Sequence, residues 1–101
     1  MEDTVYELSS VDKAPQVLKP FPPEYPLSAF EKKISGRVVF RFVVTKEGKT
    51  KNISIIESDP PGVFDENALA AIRKYRFTPG YKNGIPVDVA ISLPVTFEID
   101  E

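Results

Sequence analysis

The length, composition and charge of the chain limit what it can do. The chain has 101 residues, 42% of them hydrophobic and 28% charged, with a net charge of −2 and neither His nor Cys. One modest core is therefore predicted, and the missing His and Cys remove thiolate metal sites and the usual acid–base group near neutral pH. The fifteen acidic residues are scattered over predicted turns and solvent faces, so we predict no enzyme activity and no cofactor. The slightly acidic charge, without a basic run, predicts no nucleic-acid partner.

The first 24 residues precede the predicted helices and strands. Four prolines between residues 15 and 23 exclude a helix there, because each lacks an N–H and forces its predecessor into an extended conformation. Residues 1–14 are therefore predicted to be a flexible segment. Residues 15–24 are predicted to be an extended arm that docks through Val17, Leu18 and Phe21, with a fully disordered tail as the alternative.

Two elements are predicted between Tyr25 and Thr45. A short helix opens at Tyr25-Pro26 and closes at Gly36, because proline suits a first helical turn and glycine suits a left-handed end. A strand follows over Arg37–Thr45, with β-branched residues on both of its faces. Such a strand is typical of the centre of a sheet.

A hairpin and a second helix come next. Residues 46–49 form the predicted turn, and the second strand runs over Thr50–Glu57 with a bulge near Ile55-Ile56, where two adjacent isoleucines break the alternation. A helix is predicted over Asp65–Tyr75 with Asp65 as its N-cap. Phe77, just beyond that helix, is expected in the core.

The most regular pattern in the chain lies at its C-terminal end. From Ile85 to Ile99 every second residue is apolar, which predicts a long strand with one buried face. Pro94 has no N–H, and proline in a sheet is typical of an edge strand or a bulge. A long open edge invites the strand of a partner. The alternative is an edge that Asp88, Pro94 and Glu98 blunt and that binds nothing.

The order of elements predicts an α+β fold. A right-handed crossover through the second helix would place the last strand beside the first. The predicted sheet is three-stranded and antiparallel in the order 2-1-3, with both helices on one face and the Pro-rich arm before them. Arg37 and Arg41 are expected to pair across strands with Asp88 or Glu98.

Several motifs, taken in order, resemble the C-terminal domain of TonB-type energy transducers. The resemblance covers about residues 15–99 and depends on the ordered set rather than on any one motif. The motifs are Tyr25-Pro26, Gly36-x-Val38, Phe40-x-x-Val43-Val44, the Gly48 turn, Ile55-x-x-Ser58-x-Pro60, Phe64-Asp65-x-x-Ala68-x-x-Ala71, Arg76-Phe77-x-Pro79-Gly80 and Asn83-Gly84-Ile85-Pro86-Val87.

The resemblance implies a periplasmic domain of a longer protein that an N-terminal helix anchors in the inner membrane of Gram-negative bacteria. Its implied partners are outer-membrane receptors for siderophores and similar ligands, and an inner-membrane proton-channel motor complex reached through the N-terminal part. The domain would capture the receptor's N-terminal TonB box by strand addition at its last strand, as a monomer or a strand-exchanged dimer. No cofactor is implied.

The expected partner-binding residues belong to the last strand and to the arm. They are Val87, Asp88, Val89, Ala90, Ile91, Ser92 and Leu93 on the strand, and Pro22 and Pro23 on the arm. Two alternatives remain open from the sequence. One is an envelope assembly domain of the TolA type, and the other is an RNA-binding sheet on which Phe40 and Phe42 would stack on bases.

Overall fold

Two helices and a mixed sheet make up the part of the chain that the computed structural model describes, residues 4–99. The strands are β1 (Val5–Glu7), β2 (Gln16–Lys19), β3 (Gly36–Val44), β4 (Thr50–Asp59), β5 (Arg76–Thr78), β6 (Gly80–Lys82) and β7 (Ile85–Phe97). The helices are α1 (Leu27–Glu31) and α2 (Asp65–Ile72), and a 3-10 turn covers Leu8–Ser10. Neither helix within residues 4–99 has the length and apolar character that crossing a membrane requires.

The main sheet is built around the antiparallel pair β3 and β7. Their ladder runs from Gly36 opposite Phe97 to Val44 opposite Val89, along the whole of β3. On its other side β3 pairs antiparallel with β4. β1 pairs in parallel with β7 on the side away from β3, and β6 pairs antiparallel with Ile85–Val87, before the part of β7 that β3 covers. A separate two-stranded sheet joins β2 to β5.

The predicted three-stranded sheet is therefore wrong in its number of strands, although the fold is α+β with two helices. The long strands stand in the order β4-β3-β7, but β1 extends the sheet beyond β7 and β6 also pairs with β7. Each of these two strands has three residues, too few to show a period of two. β1 lies within residues 1–14, for which the sequence predicted flexibility, and β2 lies in the predicted arm. Residues 1–3 and 100–101 lie outside the described residues.

The core fills the space between the helices and one face of the sheet. Alternate residues of β3 face it, and α1 and α2 contribute mainly small side chains, which allow close approach. The buried cluster consists of Ala29, Val38, Phe40, Phe42, Val44, Phe64, Ala68, Ile72, Phe77, Val95 and Phe97. Phe77 is thus in the core, as the sequence predicted.

Two irregularities shape β4. Val39 pairs with Glu57 and Phe40 with Ile55, so Ile56 is the extra residue of a bulge, which confirms the predicted position. A second irregularity lies at Asn52, whose φ is +55°. Bulges bend a strand and increase its twist, so β4 curves along β3 instead of running straight.

The second helix differs from its prediction at both ends. Its N-cap position is Phe64, which makes no side-chain capping bond, and the predicted cap Asp65 is the first helical residue. The Asp65 carboxylate accepts a hydrogen bond from Ser58 Oγ at 2.5 Å, so it ties α2 to the end of β4. The helix ends at Ile72 rather than at Tyr75, and the chain soon enters β5.

Three aromatic rings join elements that are far apart in the sequence. Phe64 stacks on Phe97 with centroids 4.3 Å apart, and the Tyr25 ring meets both edge-on at 5.6 and 5.7 Å. Tyr25 also donates its hydroxyl hydrogen to the Ile34 carbonyl. The cluster therefore fixes the entry to α1, the start of α2 and the end of β7 relative to one another.

We expect Phe64→Ala to lower the free energy of unfolding by about 3–5 kcal/mol, because it leaves a cavity at a fully buried position. Phe30→Ala is the matched control, since the Phe30 side chain is 56% exposed and its removal should cost about 1 kcal/mol or less. Urea denaturation followed by circular dichroism measures both. Equal losses in the two variants would contradict the packing described here.

Gly48 and Gly84 provide a second comparison, because both have positive φ, +84° and +78°. A Cβ at Gly48 would lie 2.0 Å from the Phe77 carbonyl oxygen, whereas one at Gly84 would meet nothing within 4 Å. Gly84→Ala should therefore cost about 1–2 kcal/mol from backbone strain alone. Gly48→Ala should cost about 3 kcal/mol or more. Thermal unfolding of the two variants tests the order, and a Gly84→Ala loss as large as that of Gly48→Ala would contradict it.

Candidate functional site at the outer side of the last strand

The two sides of β7 are used differently. Its inner side pairs with β3 from Val89 to Phe97. On its outer side, β7 pairs with β1 at Asp88–Ala90, and β6 pairs with Ile85–Val87, ahead of the ladder with β3. Beyond these residues, from Ile91 to Phe97, the described part of the chain supplies no strand to the outer side of β7.

The strand residues predicted to bind a partner fall into two groups. Val87 pairs with Gly80 of β6, and Asp88, Val89 and Ala90 pair with Val5, Tyr6 and Glu7 of β1. Ile91, Ser92 and Leu93 lie where the outer side of β7 is open. The first four of the seven residues are therefore already paired with short strands of the same chain, and their binding of a partner stays a prediction. The occupying strands are distant in sequence or very short, so the local pattern did not reveal them.

The open stretch of β7 presents different chemistry on its two faces. Val95 and Phe97 are buried against the helices, and Ser92, Pro94 and Thr96 are exposed on the opposite face. A strand added here would therefore extend the apolar core on one side and meet solvent on the other. Pro94 lies within the open stretch, in agreement with the prediction that it marks an edge.

Asp88 has a structural role that the sequence did not suggest. Asp88 is only 5% exposed. Its Oδ1 accepts a hydrogen bond from the Lys46 backbone N–H at 2.9 Å, and its Oδ2 lies 3.7 Å from Lys51 Nζ. The carboxylate therefore fastens the β3–β4 hairpin to β7. The expected pairing of Arg37 and Arg41 with Asp88 or Glu98 is wrong, because Arg37 pairs with Glu57 and Arg41 with Glu7.

Pro22 and Pro23 lie against α2. Together with Phe21 they line a groove whose other wall includes Asn67 and Lys74. Asn67 donates from Nδ2 to the Glu24 carbonyl oxygen at 2.8 Å, and the Lys74 ammonium lies 4.6 Å from the centroid of the Phe21 ring. Among residues 4–99, no hydrogen bond or strand pairing joins these prolines to β7. No residue of β7 lines the groove that holds Pro22 and Pro23.

Sequence reasoning missed the residues that occupy the outer side of β7. Val5 and Tyr6 favour strands, but a three-residue segment followed by a 3-10 turn carries no periodic signal. Glu7 is identified only by its contact with Arg41 at 2.9 Å. No residue pattern predicts that ion pair, because the two residues lie on different strands with β7 between them.

The structure also bears on base stacking and on metal binding. Phe40 and Phe42 are fully buried on the helix face of β3, so neither ring is open for stacking on a base. Within the described residues there is no group of three or more His, Cys, Asp or Glu placed to hold a metal ion. The feature that stands out is a strand edge of which part is paired within the chain and part is open.

These features define a small α+β domain that pairs strands at the edge of its sheet. The chain belongs to the TonB C-terminal domain family, since the family model described as Gram-negative bacterial TonB protein C-terminal matches residues 22–99. The chain is 32% identical to protein TonB of Escherichia coli K12 over 91% of its length, and 33% identical to protein TonB of Salmonella typhimurium over 90%. It spans only 39% and 38% of those two relatives.

Solved structures agree with this assignment. The solution NMR structure of the Pseudomonas aeruginosa TonB CTD matches with a TM-score of 0.73 and 32% identity, over 94% of each chain. A TonB2 protein of Vibrio anguillarum matches with a TM-score of 0.63 over all of this chain and 95% of that one. Its 23% identity supports the fold alone. The chain therefore has the fold and the sequence of a TonB C-terminal domain.

We expect Asp88→Ala to lower the free energy of unfolding by about 1.5–3 kcal/mol, because a hydrogen bond to a charged group is lost and the Lys46 N–H loses its acceptor. Lys51→Gln should cost less than about 1 kcal/mol, since the Lys51 side chain is 41% exposed and its ion pair is long. Urea denaturation of both variants gives the comparison. An Asp88→Ala loss no larger than the Lys51→Gln loss would show that the carboxylate does not fasten the hairpin.

Proposed function

We propose that the chain is the receptor-engaging domain of a TonB-type energy transducer. It binds the N-terminal TonB box of outer-membrane active transporters by β-strand addition at β7 and passes on work derived from the inner-membrane proton gradient. The observation that supports this proposal is the open outer side of β7 from Ile91 to Phe97, in a chain of this family. The proposal involves no catalytic step and no cofactor.

Main-chain hydrogen bonds are the proposed source of affinity. Each hydrogen bond contributes a net of about 0.5–1.5 kcal/mol. A short ladder therefore gives weak to micromolar binding, once the entropy lost in ordering the peptide is subtracted. Such a ladder depends little on the partner's side chains, which would let one transducer serve several receptors. The first contact is proposed at Ile91, Ser92 and Leu93, because Val87–Ala90 already carry strands.

The wider setting is also a proposal, because the chain covers about two fifths of its curated relatives. In the full-length protein this domain would lie in the periplasm, joined to an inner-membrane anchor that contacts a proton-channel motor complex. Its cargo systems would include siderophore uptake. The arm at Pro22 and Pro23, which packs on α2, would be a secondary contact. The domain would act as a monomer or a strand-exchanged dimer.

An NMR titration with backbone-modified peptides tests strand addition. A short extended peptide from the N-terminus of an outer-membrane transporter is made in two versions, each N-methylated at alternate residues. In an added strand, alternate N–H groups face β7 and the others face solvent. One version should therefore lose at least about ten-fold in affinity and the other should bind like the unmodified peptide. Shifts should centre on Ile91–Phe97 of the ¹⁵N-labelled domain.

A scrambled peptide is the control for composition. If both methylated versions bind equally well, side chains rather than the main chain carry the interaction and strand addition is wrong. If no peptide binds to a monomeric sample at millimolar concentration, the edge is closed and the envelope assembly role replaces the proposed one.

A further inference from the structure

β1 uses the outer side of β7 as an added strand would. Val5, Tyr6 and Glu7 pair in parallel with Asp88, Val89 and Ala90. The chain then leaves the edge through the 3-10 turn at Leu8–Ser10. The open stretch of β7 begins directly after Ala90. A partner strand that continued along the whole edge would therefore need the place that β1 holds.

One side-chain contact marks this place. Both carboxylate oxygens of Glu7 accept from Arg41 Nη2, at 2.9 and 3.0 Å. Arg41 belongs to β3 and Glu7 to β1, with β7 between them. The guanidinium must therefore reach across β7 to the outermost strand. Arg41 is thus in a position to contact the side chain of whatever strand lies on this edge.

β1 is held weakly compared with the segment that follows it. It has three residues, Val5 is 39% exposed, and the side chains of the Arg41–Glu7 pair are 43% and 63% exposed. An exposed ion pair contributes little and is screened by salt. The next segment is fastened to β6: the Asp12 and Tyr81 main chains bond at 2.9 Å, and Asp12 Oδ2 accepts the Asn83 N–H at 2.6 Å.

We infer that β1 is an internal occupant of the receptor edge, and that a partner strand displaces it, pairs in parallel with Asp88–Ala90 and brings a carboxylate to Arg41. This inference rests on the proposed function and names the chemistry of its partner, an extended segment with an acidic residue opposite Ala90. Because Asp12 stays fastened to β6, released β1 remains near the edge at a high effective concentration and competes with the partner.

The first experiment asks whether β1 competes. Tyr6→Pro places a residue without an N–H in the middle of β1, and Glu7→Gln removes its charge. Both variants should bind the transporter peptide more tightly than the natural chain, Glu7→Gln by about two- to five-fold, the range for an exposed ion pair. In the natural chain, the amide signals of Val5–Glu7 should shift as peptide binds. Unchanged affinity in both variants, with those signals unmoved, would overturn the inference.

The second experiment asks whether Arg41 selects an acidic strand. The probe is a peptide with the chain's own residues Thr4–Ser10, compared with its Glu7→Gln version on the Tyr6→Pro domain. The acidic peptide should bind about two- to five-fold more tightly, and Arg41→Gln should abolish the difference. Arg37→Gln is the matched control, since Arg37 lies on the same strand but pairs with Glu57 at 3.0 Å. A preference that survives Arg41→Gln would overturn the role of Arg41.

The two proposals fail in different ways. If the transporter peptide binds no form of the domain while the Thr4–Ser10 peptide binds the Tyr6→Pro variant at Asp88–Ala90, the proposed receptor role is wrong. If the transporter peptide binds at Ile91–Phe97 and saturating Thr4–Ser10 peptide does not compete with it, the receptor role stands and the displacement of β1 is wrong.

Discussion

The antiparallel ladder between β3 and β7 is the interaction on which the rest of the structure depends. It runs along all of β3, and it sets which side chains of both strands face the helices. A slip of one residue would exchange the two faces and expose the core residues. Because the ladder uses only the inner side of β7, it also leaves an outer side, where β1 lies and where the proposed partner strand would pair.

Side chains fix what the ladder alone would leave free. The stacked pair Phe64 and Phe97, with Tyr25 against both, anchors α1 and α2 at one end of β7. At the other end, the buried Asp88 carboxylate accepts the Lys46 N–H and anchors the β3–β4 hairpin. The strand proposed to receive a partner is therefore clamped at both ends, as a strand that transmits a pull would need to be.

Main-chain pairing is open to almost any extended segment and selects among none, so a domain that works by strand addition needs another source of selectivity. The outer side of β7 is shared between the chain's own β1 and an open stretch. In the proposed mechanism, competition with β1 lowers the apparent affinity of every partner segment. A short or poorly matching segment then binds too weakly to displace β1. Arg41 then adds a charge preference, because its guanidinium reaches the outermost strand.

The sequence by itself determined the long strands, the bulge at Ile56, the burial of Phe77 and, through the ordered motifs, the family. These features are local, since alternation, turn residues and paired isoleucines are readable without knowing what lies beside them. Only the tertiary structure decided that β1 covers Asp88–Ala90, that Asp88 is buried under the hairpin, and that Arg41 meets Glu7. Those contacts join residues more than thirty positions apart, and no local pattern encodes which partner a strand or a turn finds at that distance.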